Sequence, residues 1–62
     1  MCELVVYTVR GDRREKVMEG VVRMTPHEGK VLLEGIFGDS LDVIGKLSGV
    51  DIIAQKATIA LD

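Results

Sequence analysis

Apolar and polar positions alternate along most of this chain at the two-residue period of an extended strand. In ELVVYTVR (residues 3–10), Leu4 and Val6 fall on one face and Val5, Tyr7 and Val9 on the other. Both faces are apolar, which predicts a strand covered on two sides; in so short a chain the second cover can be another copy. GDRRE follows as a turn with Gly11 and Asp12. KVMEGVVRMT (16–25) is the next strand, with Met18, Val22 and Met24 on one face and Val17 and Val21 on the other. TPHEG predicts a hairpin loop, with Pro26 at the first central position and Gly29 as the left-handed residue that closes it. KVLLEGIF (30–37) returns as the partner strand, and GDS is a further turn.

The segment LDVIGKLSGV has two readings. Leu41, Val43 and Leu47 alternate as in a strand, while Ser40 could cap a short helix carrying Leu41 and Ile44. Gly45 and Gly49 weigh against the helix and suit bends or bulges, so a bent strand is favoured. DIIA, a turn at QK, and ATIALD complete a second short hairpin. The pattern predicts an all-β fold: a single domain over residues 1–62, built as a small β-barrel of five or six short strands, SH3- or OB-like in size.

Composition adds two constraints. A chain of 62 residues buries only about 60% of the surface its unfolded form exposes, so disulfides, a metal or a second subunit usually assist. One cysteine forms no internal disulfide, which leaves a metal, dimerisation or both. The core must be aliphatic, because Tyr7 and Phe37 are the only aromatic residues. The net charge of −2 is opposed to nucleic-acid binding, and the basic cluster Arg10, Arg13, Arg14 and Lys16 is broken by Asp12 and Glu15. No apolar run approaches the ~18 residues of a membrane span and no secretory signal is visible, so the expectation is a cytoplasmic protein with a reduced thiol.

Candidate chemistry is sparse. One His, one Cys and no Trp leave little for a catalytic centre, no phosphate-cradling loop opens a helix, and the chain reads as a non-enzyme. His27 is a solvated turn residue in this reading, and Met18 and Met24 are core. Cys2 stands out by position. Its thiolate and its own main-chain nitrogen can close a five-membered ring on a metal, and the Met1 amine with that nitrogen can close a second. Planar N/S donors suit nickel or copper better than tetrahedral zinc. Two copies related by a two-fold axis would bring two such thiolates to one ion. Position alone leaves other readings open: a frayed terminal residue, a small buried hydrophobe, or a redox or lipid-attachment thiol.

The start MC followed by ELVVYTV, then VMEGVVRMTPHEGKVLLEGIFGD and the ending GVDIIAQKATIAL, resembles the CooT-type small nickel-binding proteins. The resemblance spans nearly the whole chain, although Cys2 is its only sharp motif. It implies a homodimeric β-barrel that holds Ni(II) at the subunit interface through Cys2 of each copy. Main-chain nitrogen at Met1, Cys2 and Glu3 would be further ligands. The implied role is an accessory protein, a metallochaperone or nickel carrier for maturation of an enzyme such as carbon monoxide dehydrogenase. Two alternatives are a HypC-type hydrogenase maturation chaperone, which also begins Met-Cys, and an RNA-binding small β-barrel. The first differs in continuing with small apolar residues and a proline where this chain has Glu3, and the second finds no support in the acidic balance.

Overall fold

The computed structural model describes residues 3–61. Six strands follow one another: β1 (Leu4–Arg10), β2 (Arg13–His27), β3 (Lys30–Gly35), β4 (Ser40–Ile44), β5 (Lys46–Asp51) and β6 (Lys56–Ala60). They form one sheet in the order β4-β3-β2-β1-β6-β5, antiparallel except for the β1–β6 pair. The fold is all-β, as the alternation predicts, and no helix occurs among the described residues. The barrel is incompletely closed: its edge strands β4 and β5 do not pair with each other, and Gly45 alone joins them. Here the bent-strand reading of LDVIGKLSGV holds. Gly45 turns the corner where a Cβ would lie 2.7 Å from the Ala60 carbonyl oxygen and 2.8 Å from Ile59 Cγ2, so only glycine fits without a shift.

Not all the strands are short. β2 runs for fifteen residues because it serves two neighbours, pairing with β1 up to Val21 and with β3 from Val21 onward. The handover is made by bulges. Between the pairs Leu4↔Val21 and Val6↔Met18, two residues of β1 span three of β2, and Gly20 there takes a φ of +65°. The register with β3 slips again between Val21 and Arg23. These shifts break the predicted Met18–Val22–Met24 stripe: Met18 and Met24 pack on the core, but Val22 is 48% exposed and Val21 is buried instead.

Two turns differ from expectation. The β2–β3 hairpin closes through Glu28 and Gly29 alone, both at positive φ (+44° and +81°), the signature of a two-residue turn that matches strand twist. Pro26 lies inside β2, opposite Val31. Since His27 and Lys30 flank the two-residue loop as a hydrogen-bonded pair, Pro26 and Val31 form a non-bonded one, and the missing N–H points away from β3. At the other hairpin, DIIA is not strand throughout. β5 ends at Asp51, whose Oδ1 accepts a hydrogen bond from the Ala54 N–H at 2.9 Å, and residues 52–55 form the turn.

The core is aliphatic, as the composition requires: Val6, Val21, Val31, Leu33, Val43, Ala57 and Ile59 are buried, with Leu4, Val17, Met18, Met24, Leu47 and Leu61 packed against them. On β1, Val6 and Thr8 face inward, while Val5, Tyr7 and Val9 lie half-buried on the outer side. Part of that outer cover is internal, for the Arg14 guanidinium sits 4.0 Å over the Tyr7 ring.

Candidate functional site

Cys2 and Met1, the residues singled out as metal ligands, lie outside the described residues. Glu3 is described and half-buried, and the point at which the chain enters the sheet is well defined. The Val5 N–H donates to the Gln55 carbonyl at 3.0 Å, and Leu4 pairs with Val21 on the opposite side. Val21 in turn pairs with Gly35, while Val5 and Asp51 both pair with Lys56. A single row across the sheet therefore runs from Gly35 through Val21, the start of β1 and Lys56 to Asp51. Glu3 stands at that row, between two turns that leave from it.

Those turns, residues 36–39 and 52–55, are tightly held by backbone and present apolar side chains to solvent. In the first, the Ile36 N–H donates to the Gly20 carbonyl at 2.9 Å and the Gly35 N–H to the Asp39 carbonyl at 2.8 Å. Phe37 is nonetheless 89% exposed. In the second, the Asp51–Ala54 bond fixes the loop while Ile53 is 97% exposed and Ile52 is also in solvent. Sequence reasoning placed Phe37 and Ile52–Ile53 in strands and missed them as surface. The available signal was their flanks: Phe37 is followed at once by Gly38, which takes a φ of +85°, and Ile52 follows Asp51, a turn-forming residue.

The charges at this end are mainly acidic. Glu3, Asp39 and Asp51 belong to it with Lys56, and the Arg23–Glu34 pair adjoins the Val21–Gly35 rung. Among the described residues, no three His, Cys, Asp or Glu side chains come together as a metal-binding group.

The other candidates fall elsewhere. His27 ends β2 beside the hairpin tip, exposed, with Nε2 3.1 Å from Glu28 Oε1. It is remote from β1's start: the tip touches Gly45, whose N–H donates to the Gly29 carbonyl, and Gly45 packs on Ala60, which pairs with Val9. His27 is thus exposed, as its setting predicts, but as the last paired residue of β2 rather than in the turn. The arginine cluster beside Gly11 is also exposed, Arg14 being engaged with Tyr7. No helix of the structure is long and apolar enough to cross a membrane.

No curated protein matches the chain. Among solved structures it is similar to a crystal structure described as CooT from Carboxydothermus hydrogenoformans, at 28% identity over 98% of each chain and a TM-score of 0.88. The family model for the CO dehydrogenase accessory protein CooT matches residues 1–60. Agreement in sequence family, fold and length over nearly all of its residues places this chain in the CooT family of CO dehydrogenase accessory proteins.

Proposed function

We propose that the protein is a nickel-binding accessory factor that carries Ni(II) for the maturation of a metalloenzyme, carbon monoxide dehydrogenase in the first instance. The observation that carries this reading is Cys2, the one thiol of the chain, set two residues before a β1 entry point that is fixed on both sides by strand pairing. Its thiolate is the principal ligand, and main-chain nitrogen at Met1, Cys2 or Glu3 contributes to a planar N/S set of the kind nickel favours.

One chain supplies too few strong donors, and the reading includes a homodimer in which Cys2 of each copy meets the same ion. The exposed Phe37, Ile52 and Ile53 beside the β1 entry offer apolar surface for such a contact at the end where the thiols converge. The nearby carboxylates favour a dication over an anion. Transfer would proceed by ligand exchange with donors of the recipient. The role is not enzymatic, and the setting is the cytoplasm, where thiols stay reduced.

Nickel titration of the purified protein tests the reading. The expected result is about one Ni(II) per two chains with a sulfur-to-nickel charge-transfer band, both lost in Cys2→Ser while dimer and fold remain. Undiminished nickel binding in Cys2→Ser would overturn it.

A further inference from the structure

A second surface feature lies at the opposite end of the sheet. Where β4 and β5 meet without pairing, an open groove of about 550 Å³ runs between the β2–β3 hairpin tip and the Gly45 corner. Its floor is apolar, formed by Val31, Leu47 and Ala60, and Ile44 stands at its side 81% exposed. Lys30 and Lys46 flank it, and the single acid in its lining, Glu28, is engaged by His27. Ala60 lies four residues along β6 from Lys56, so the groove is about 13 Å from the β1 entry.

We infer that this groove docks an extended acidic peptide segment of a partner protein, its apolar side chains on Val31, Ile44 and Leu47 and its carboxylates between Lys30 and Lys46. Three observations favour this occupant. The first is charge. The chain is net acidic, yet the groove is lined by Lys30 and Lys46 with Glu28 as its one acid, so an acidic segment meets a complementary field. The second is shape. A small ligand is normally 70–90% enclosed, whereas a wall residue as exposed as Ile44 leaves the groove open along its length, which suits a chain passing through. The third is the backbone. The free edges of β4 and β5 both begin at the groove, and such edges accept an added strand by main-chain hydrogen bonds. RNA shares the negative charge but finds little to stack on: neither Tyr7 nor Phe37 lines the groove, and the one ring that does, His27, lies against Glu28.

The inference does not rest on the metal reading, and its test uses metal-free protein. The probe is a fluorescein-labelled hexapeptide of alternating valine and glutamate, followed by fluorescence anisotropy. The expected result is saturable binding that weakens about tenfold or more in the double variant Lys30→Glu, Lys46→Glu and is unchanged in Lys56→Glu at the far end. All three lysines are exposed, and circular dichroism of each variant checks that the fold persists. Substituting glutamine for glutamate in the probe should cost a similar factor. Absence of binding, equal binding in the double variant, or displacement of the peptide by a single-stranded RNA hexamer at lower concentration would overturn the inference.

Discussion

The strands β1, β2, β3 and β6 differ in character from the stretch 36–53 that holds β4, β5 and their flanking turns. Six of the seven buried apolar residues, Val6, Val21, Val31, Leu33, Ala57 and Ile59, come from the first group, and only Val43 from the second. Exposed large apolar residues show the reverse. Seven of the eight among the described residues, from Ile36 to Ile53, lie in residues 36–53, and Val22 is the exception. One part of the chain holds the fold together, and another carries surface that costs stability unless something covers it. Folding rests on the first group and the proposed association would rest on the second, so mutations should separate them.

The largest expected effect is in the inner strands. Leu33→Ala removes a fully buried side chain at the centre of β3 and should destabilise by about 2–5 kcal/mol. A domain of this size has little more than that to lose, so loss of cooperative urea unfolding is the expected observation. Ile53→Ser, at a position almost wholly in solvent, should stay within about 0.5 kcal/mol of the parent. Equal midpoints for the two variants would remove the distinction between the segments.

Gly45 is where the two segments join, and it gives the next largest effect. Alanine there sets its Cβ against a backbone carbonyl and the buried Ile59, an overpacking that should cost about 1–3 kcal/mol. Gly49 on β5 is the control, since a Cβ at that position meets nothing within 4 Å and Gly49→Ala should be nearly neutral. The comparison sharpens if Gly45→Ala also alters the groove, seen as altered amide shifts of Lys30 and Ala60 beside it.

This division also explains what the sequence made legible. Alternation identified β1, β3 and the bent β4–β5 strand, because each keeps one side on the core: Val6 and Thr8, Val31 and Leu33, and Val43 with Leu47. It failed in the middle of β2, where bulges at Gly20 and beyond Val21 reset the phase and no side-chain pattern records an inserted residue. It also failed at Ile52 and Ile53. An apolar pair reads as strand unless one knows that Asp51 caps the turn with its own carboxylate. For the candidate site, Cys2 was evident from position and residue type. The apolar turns beside the β1 entry were not, because they are brought there by pairing across four strands, β3 to β2 to β1 to β6.

On the surface segment the expected change is in assembly rather than stability. The double variant Phe37→Ser, Ile53→Ser removes the two most exposed apolar side chains from the turns beside Glu3. For the proposed dimer, sedimentation velocity should show the parent as dimer and this variant as monomer at the same concentration, with unchanged secondary structure. An unaltered dimer in this variant would move the contact away from the β1 entry, to the outer face of Val5 and Val9 or to the free edges.

The smallest effect is expected from a pair that looks strong in geometry. Lys16 Nζ hydrogen-bonds the Glu19 carboxylate on the solvent side of β2. That hydrogen bond, and then the lysine's charge, lowers the Glu19 pKa from its ordinary 4.5, and the same contact raises Lys16 above 10.5. For Glu19, any contribution to stability is present above its unfolded value and is lost as pH falls through the lower folded one. For Lys16 it is present below the unfolded value and is lost as pH rises through the higher folded one. The pair is therefore intact across the neutral range, yet both side chains are largely in water, where screening and side-chain entropy remove most of the gain. Lys16→Ala should leave the urea midpoint at neutral pH within replicate scatter, and the acid limb of the profile should follow the parent's. A drop as large as that of Gly45→Ala would mean that an exposed face of β2 stabilises the fold as much as its interior does, and the separation of holding strands from presenting surface would then be wrong.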